Sequence, residues 1–192
     1  MRMLDLFSGL HGASARFQRD PAWEVVSIDN NPDLNPTHCW DLSEPGSILK
    51  ILDLGKFDLI WASPPCIEFY KCLAPFYPEL YKKQPSMRLV EVALEVVKLM
   101  EPDFWVLENT KSGNHFIKEI LGESRQIHGP FYLWGNFIKF DSGLNISESI
   151  KTKKDTTSGH PLRSNLKAMI PMEISSGLYD VIMNQPTLEK WL

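Results

Sequence analysis

The sequence lacks the features that mark several large classes of protein. It has only three cysteines, Cys39, Cys66 and Cys72, and no CxxC pair, which predicts free thiols in a reducing cytoplasm and no disulfide scaffold. No apolar run approaches about 18 residues, so no membrane span is expected. The first residues carry no signal-peptide pattern, which predicts a cytoplasmic location and no secretion.

An excess of basic residues is also missing. The 192-residue chain has 20 lysines and arginines against 24 aspartates and glutamates, a net charge of −4. Because neutralisation of phosphates supplies much of the affinity of a nucleic-acid binder, this balance argues against tight autonomous binding of nucleic acid. It leaves room for an enzyme with a local basic patch. The length predicts a single domain.

Short apolar runs alternate with helical stretches along the first two-thirds of the chain. This alternation predicts an α/β fold, a Rossmann-like doubly wound and mostly parallel sheet. Residues Asp141–Asn165 are polar and predict a loop. Strands are predicted at Met3–Phe7, Trp23–Asp29, Phe57–Ala62 and Phe104–Leu107, with further β structure over Phe131–Phe140. Helices are predicted at Gly12–Asp20, Ser47–Leu54, Ser86–Met100 and Met172–Met183.

The turn after the first predicted strand has the character of a nucleotide site. Small residues, Ser8, Gly9 and Gly12, let the backbone approach a ligand closely. Asp29 ends the second predicted strand, where a carboxylate can accept hydrogen bonds from ribose hydroxyls, and Asp41 follows soon after. The alternative is a tight turn that binds nothing. The sequence has no GKS or GKT, which excludes a P-loop, and no strict GxGxxG, which disfavours a nicotinamide cofactor.

Two other predicted strands end in residues suited to catalysis. Phe57–Ala62 runs through Pro64 and Pro65 into Cys66, so a thiol, the side chain of the strongest common nucleophile, follows a stiff backbone. Phe104–Leu107 runs into Glu108 and Asn109. The simpler interpretations are that Cys66 is a buried core residue and that Glu108 is an exposed loop acid. A cysteine and an acid that both lie at the carboxyl edge of one sheet favour a catalytic pair.

These residues resemble the motifs of the DNA cytosine-5 methyltransferase family, and most closely those of its short phage-type members. The segment from Asp5 to Gly9 is similar to the first, cofactor-binding motif, Pro64-Pro65-Cys66 to the nucleophile motif, and Glu108-Asn109 to the Glu-Asn motif. The resemblance implies a class I methyltransferase fold with S-adenosylmethionine, or a derivative of it, as the cofactor. It implies no metal and no membrane, and a DNA partner from which a cytosine is flipped into the site.

The resemblance also assigns roles to residues. Cys66 adds to cytosine C6, Glu108 holds the N3 and N4 edge and protonates N3, and Asn109 belongs to the same catalytic set. The segment Ala168–Ser175 is similar to the last family motif, which completes the cofactor pocket. One domain then divides into a cofactor-binding half (1–62), a catalytic half (63–128) and a reduced C-terminal region (129–192). The implied cofactor-binding residues are Asp5, Phe7, Ser8, Gly9, Gly12, Asp29, Asn30, Asp41, Pro64 and Ser175.

The sequence departs from the family in three respects. No Gln-x-Arg-x-Arg motif is present, so Arg163, or else Arg125, is the candidate for the arginine beside the nucleophile. A large target-recognition domain is missing, which makes a separate specificity subunit a candidate partner and the Lys151–Lys154 cluster a candidate phosphate contact. Ile67 stands where glutamine is common, followed by Glu68. The aromatic residues after the nucleophile either stack on a base or pack as a lid: Tyr70, Phe76, Tyr77 and Tyr81.

Two alternatives stay open on the sequence. The same covalent chemistry suits RNA, a free pyrimidine nucleotide, or the transfer of a modified group from a derivative of the cofactor. A subunit that binds S-adenosylmethionine without catalysis is the other alternative, although the presence of both Cys66 and Glu108 argues against it.

Overall fold

Seven strands form one mixed sheet at the centre of the structure. The computed structural model describes residues 1–144 and 160–184, so the predicted Lys151–Lys154 cluster lies outside the described residues. The strands are β1 (Arg2–Leu6), β2 (Glu24–Asp29), β3 (His38–Cys39), β4 (Leu59–Ala62), β5 (Phe104–Asn109), β6 (Gln126–His128) and β7 (Phe131–Asn136).

The order of the strands across the sheet is β3-β2-β1-β4-β5-β7-β6. The neighbours from β3 to β5 pair in parallel, whereas β7 runs antiparallel to both β5 and β6. The predicted α/β, doubly wound and mostly parallel sheet is confirmed, and it is consistent with the class I methyltransferase type. Because the chain order reverses between β1 and β4, a crevice opens at the carboxyl ends of these strands.

Six α-helices accompany the sheet in the described residues. The sequence predicts Met172–Met183 to the residue, whereas three of the others, Ile67–Leu73, Lys111–Leu121 and Arg163–Ala168, were not predicted. The apolar residues of the longest helix, Arg88–Met100, recur at three- and four-residue spacing, and Val92, Val96 and Met100 are buried. The helices are α1 (Ser47–Leu52), α2 (Ile67–Leu73), α3 (Arg88–Met100), α4 (Lys111–Leu121), α5 (Arg163–Ala168) and α6 (Met172–Met183).

Alternate residues of each central strand face two separate hydrophobic cores. On β4, Ile60 packs into the core beneath α1, α2, α3 and α4, whereas Leu59 and Trp61 pack into the core that contains α6. All three side chains are fully buried. This burial explains why β4 is apolar at every position, since a strand that is covered on both faces has no face in contact with solvent.

The prediction of a helix over Gly12–Asp20 is wrong. The segment forms a series of turns, and only Phe17–Arg19 makes a short 3₁₀ helix. The Ser175 side chain of α6 forms hydrogen bonds with backbone groups of this segment that an α-helix would use in its own hydrogen bonds. Its hydroxyl accepts a hydrogen bond from the Arg16 N–H at 3.0 Å and donates one to the Ala13 carbonyl at 2.7 Å. A tertiary contact therefore replaces helical hydrogen bonds here.

The C-terminal third has more regular structure than the sequence predicts. Strand β7 covers only the first part of the predicted β stretch Phe131–Phe140 and ends at Asn136; it forms a hairpin with β6, which precedes that stretch and was not predicted. Helix α5 begins at Arg163, inside the stretch predicted to be a loop. Nothing tests the predicted division of the chain at residues 62 and 128, so it stays a prediction. Within the described residues, every helix is too short or too polar to cross a bilayer.

Candidate active site

A cavity of about 650 Å³ opens at the carboxyl ends of β1, β2, β4 and β5. This volume is typical of sites for cofactors and other small ligands. It brings together residues that lie far apart in the sequence, because parallel strands end at one edge of the sheet. The cavity is lined by most of the predicted site residues: Asp5, Phe7, Ser8, Gly9, Gly12, Asp29, Asn30, Asp41, Pro64, Cys66, Glu108 and Asn109.

The turn after β1 has a strained backbone that approaches the cavity. Phe7 and His11, neither of them glycine, adopt left-handed φ angles of 58° and 57°, with Gly9 between them at 52°. Left-handed backbone costs of order 1 kcal/mol or more at non-glycine residues and is concentrated at ligand sites. Asp29 stabilises the turn, because its Oδ2 accepts a hydrogen bond from the Gly9 N–H at 2.9 Å and its Oδ1 one from Asn31 at 3.0 Å.

Ser8 has a buried hydroxyl without a hydrogen-bond partner among the described residues. Its side chain is 7% exposed and lines the cavity. A buried hydroxyl without a partner costs free energy, and a polar group of a ligand in the cavity beside Ser8 would remove that cost.

Asp5 lies at the buried end of β1 and lines the same cavity. Its carboxyl is 1% exposed and accepts a hydrogen bond from the Ser14 hydroxyl at 2.6 Å. Burial raises the pKa of Asp5 from 3.8 to about 7; the Ser14 hydrogen bond opposes this shift and the charge of Asp29 adds to it. The side chain therefore titrates near neutral pH.

Trp40 is a cavity residue that the sequence reasoning missed. It follows β3, and its ring stacks on His38 with a centroid distance of 4.3 Å. Asp41, the next residue, is exposed and accepts hydrogen bonds from the Ser43 N–H and hydroxyl, which lower its pKa. The signal available was the aromatic residue directly before a predicted site acid.

The last turn of α5 and the segment after it close one side of the cavity. Lys167, Met169 and Ile170 line it, and Met169 and Ile170 belong to the segment that is similar to the last family motif. Gly12 allows the approach, because a Cβ there would lie 2.2 Å from the Ile170 carbonyl oxygen. Ser175 is a correction: it is fully buried behind the turn and is not among the residues that line the cavity.

Cys66 stands at the start of α2, directly after the Pro64-Pro65 step. It is half-buried, and Thr110 and Glu108 line the cavity beside it. Burial raises the pKa of the Cys66 thiol and the charge of Glu108 raises it further, while a hydrogen bond from the Thr110 side chain lowers it. The adjacency of β4 and β5, with Ala62 paired to Leu107, places the two strand ends side by side as predicted.

Asn109 fixes the position of the loop that carries Cys66. Its Nδ2 donates a hydrogen bond to the Pro64 carbonyl at 2.9 Å, and its Oδ1 accepts one from the Thr110 N–H at 3.0 Å. The side chain is 1% exposed. Both ends of the amide are thereby engaged with backbone, so the structure makes Asn109 a positioning residue for Cys66.

The two candidate arginines are placed differently. Arg125 donates a hydrogen bond from Nε to the Phe137 carbonyl at 2.7 Å and does not line the cavity. Arg163 is exposed at the first residue of α5; Ser164 and Asn165 line the cavity, but Arg163 does not. The base contact expected of Arg163 stays a prediction. The cation that does line the cavity is Lys167, which the sequence reasoning missed.

Glu68 is not directed at a substrate edge. Its carboxylate accepts a hydrogen bond from the Ser86 N–H at 2.8 Å, which ties α2 to the start of α3.

The described residues contain no group of three or more His, Cys, Asp or Glu side chains arranged to hold a metal ion.

The chain is similar to known DNA methyltransferases. It is 29% identical over 134 residues to a probable DNA (cytosine-5)-methyltransferase of Frog virus 3 (isolate Goorha), over 64% of this chain and 59% of that protein. It is 26% identical over 118 residues to the type II methyltransferase M1.HphI of Haemophilus parahaemolyticus, over 55% of this chain and 31% of that protein. The resemblance seen in the motifs is thereby confirmed, and no protein-family model matches the chain.

A solved structure is also similar. It is a prophage-encoded E. coli protein assigned as a DNA modification methyltransferase, with 20% identity and a TM-score of 0.44 over 62% of this chain and 34% of that one. The chain spans 59% and 31% of the lengths of the two curated relatives.

Proposed function

We propose, from this similarity and from the cavity, that the chain is an S-adenosylmethionine-dependent DNA (cytosine-5)-methyltransferase that acts through a covalent bond from Cys66 to cytosine C6. The observation that supports it best is one cavity that holds Cys66 and Glu108 together with the strained turn after β1. A methyl donor and a pyrimidine could therefore bind side by side in this one cavity. The names of the relatives point to DNA as the substrate.

The residues on the β1 side suit the proposed cofactor. Ser8 offers a buried hydroxyl without a partner among the described residues, and Asp29 keeps lone pairs free for ribose hydroxyls beyond the two backbone hydrogen bonds it accepts. Trp40 offers an aromatic wall close to them. When bound, S-adenosylmethionine supplies a methyl group on a positively charged sulfur, open to attack by a carbon nucleophile.

Cys66 and Glu108 suit their proposed roles as a coupled pair. Each negative charge disfavours the other, which is why Glu108 raises the pKa of the Cys66 thiol. Transfer of the thiol proton to Glu108 leaves a thiolate beside a carboxylic acid, with the net charge of the pair unchanged. These are the two protonation states that the chemistry needs: a nucleophile for C6 and an acid for the ring nitrogen N3.

The remaining residues hold this pair in place. Addition of the thiolate at C6 places electron density on C5, and protonation at N3 by Glu108 stabilises the charge that develops on the ring. C5 would then accept the methyl group from the bound cofactor. Loss of the C5 proton to a base, expulsion of the thiolate from C6 and return of the N3 proton to Glu108 would then restore the aromatic ring. Asn109 fixes Pro64, and so keeps the thiol at its place at the head of α2.

A trapping experiment tests the proposal. DNA that contains 5-fluorocytosine cannot lose a proton from C5, so a covalent protein–DNA adduct should accumulate in the presence of S-adenosylmethionine. Cys66→Ala should abolish the adduct. Cys39→Ala is the matched control, because Cys39 is exposed on β3 and does not line the cavity. Mass spectrometry of nucleosides from DNA of expressing cells should show 5-methylcytosine with the wild type and not with Cys66→Ala.

The alternatives give other results. Turnover of RNA or of a free nucleotide, without any adduct on DNA, would move the same chemistry to another substrate. A cytosine product of unexpected mass would indicate a modified transferred group. Binding of S-adenosylmethionine with no transfer to any acceptor would indicate a non-catalytic subunit.

A further inference from the structure

A stripe of exposed apolar side chains begins at the residue next to the nucleophile. Ile67 is 56% exposed, Tyr70 45%, Leu73 40% and Phe76 82%, at a constant spacing of three residues. Ile67 also lines the cavity, so the first residue of the stripe lies at the candidate active site. We call these four residues, with Tyr77, Tyr81 and the lysines Lys71, Lys82 and Lys83 of the same segment, the aromatic–lysine surface.

This surface is held by ordered contacts beneath it. The opposite side of α2 is buried through Phe69 and Cys72, so the helix cannot turn the stripe inward. The Lys82 N–H donates a hydrogen bond to the Cys72 carbonyl at 2.9 Å, and the Glu68 carboxylate binds the Ser86 N–H. Within the described residues, the apolar stripe therefore remains presented to solvent at a free-energy cost, which suggests that it binds a partner.

The charge of the surface differs from that of the chain. Residues 67–88 contain four basic side chains and two acidic ones, whereas the whole chain has a net charge of −4. One of the two acids, Glu68, is engaged with the Ser86 N–H. The cations interleave with the rings: Lys71 Nζ lies 5.5 Å from the Tyr77 ring centre, and Lys82 Nζ lies 5.3 Å from that of Tyr81.

We infer that the aromatic–lysine surface binds single-stranded DNA, with a base flanking the target cytosine stacked on Phe76 and phosphates near Lys82 and Lys83. This inference rests on the proposed function. Aromatic faces beside cations suit unpaired bases and their phosphates, since every base offers a flat face for stacking. The bases of a duplex already stack on one another, and the acidic chain offers little of the charge that duplex binding requires. Single-stranded DNA should therefore be the preferred substrate.

Fluorescence anisotropy with two labelled probes tests this inference. The probes are a cytosine-rich single-stranded oligodeoxynucleotide and the same sequence as a duplex, at equal salt. The wild type should bind the single strand about tenfold more tightly than the duplex, and Phe76→Ala should weaken single-strand binding by about tenfold. Leu49→Ala is the matched control, because Leu49 is 66% exposed but lies on α1 outside the surface. Lys82→Gln with Lys83→Gln should flatten the dependence of binding on salt.

Other outcomes would overturn the inference. These are equal or tighter binding of the duplex, tighter binding of a single-stranded RNA of the same sequence, or no effect of Phe76→Ala. The thermal midpoint of each variant checks folding, and a side chain as exposed as Phe76 should leave it unchanged. Methyl transfer to both probes separates this inference from the proposed function. If the protein binds the single strand through Phe76 but methylates neither probe, the proposed function is wrong and this inference stands. If it methylates the duplex but not the single strand, this inference is wrong and the proposed function stands.

Discussion

Replacement of Asp5 by asparagine should make the protein more stable at alkaline pH. Asp5 is buried and has a pKa raised from 3.8 to about 7, so the folded state holds its proton more tightly than the unfolded chain does. Stability from this group is complete below pH 3.8, the unfolded value, and is lost as the pH rises through about 7. An asparagine carries no such penalty, and its Oδ1 can still accept the hydrogen bond from Ser14.

The size of the effect follows from the two pKa values. A difference of about three units corresponds to about 4 kcal/mol between the fully protonated and fully ionised limits. Some of that loss occurs below pH 5, so the part that falls between pH 5 and pH 8 is about 3 kcal/mol. The variant should gain about this much stability on the wild type over that interval.

Urea unfolding at pH 5 and pH 8, followed by circular dichroism, measures the difference. The other titrating groups are common to both proteins and cancel. Asp20→Asn is a control, because the hydrogen bond from Tyr179 lowers the pKa of Asp20, which places its titration below pH 5. Parallel curves for wild type and Asp5→Asn between pH 5 and pH 8 would refute the account of Asp5 as a buried acid that titrates near neutrality.

Three further substitutions probe the loop that carries Cys66 and the turn beside the proposed cofactor site. Asn109→Ala removes the hydrogen bond to Pro64, so kcat should fall by more than about tenfold with S-adenosylmethionine binding retained in calorimetry; an equal loss of cofactor binding would contradict a positioning role. Thr110→Val should raise the pKa of Cys66, seen as a shift of iodoacetamide alkylation to higher pH, and Thr110→Ser should restore it; unchanged profiles would reject the hydrogen bond. Gly12→Ala should destabilise the fold by about 1–3 kcal/mol in thermal unfolding and weaken cofactor binding, because its Cβ meets the Ile170 backbone; full affinity would show that the Ala168–Ile170 side is dispensable.

The elements predicted well are those whose signals are local. Helix α6 was predicted to the residue, because Pro171 precedes it and apolar residues recur along one face. Helix α4 was missed, since Gly113 lowers its intrinsic helix propensity. The structure explains the glycine: a Cβ at position 113 would lie 2.0 Å from the Asn109 Oδ1. A glycine, which a helix disfavours, is thus required at position 113 by the side chain that holds the Cys66 loop.

The site could be predicted where it follows from sheet geometry. Cys66, Glu108 and Asp29 come at the ends of parallel strands, and one rule places all of them at the same edge. Lys167 could not be found in this way, because it reaches the cavity only when the chain returns after β7. The turns at Gly12–Asp20 were misread for the same reason, since the side chain that replaces their helical hydrogen bonds is Ser175.

The bond between Arg16 and Ser175 joins residues 159 positions apart in the chain. Tyr179 and Asp20 make a second such link between α6 and the same early segment. During synthesis at roughly 5–20 residues per second, the turn after β1 must therefore wait about 10–30 seconds for its partners. The segment from Ala13 to Asp20 cannot make these hydrogen bonds until α6 has been made. A nascent chain that stops before α6 therefore lacks the contacts that hold this early segment in place beside the cavity.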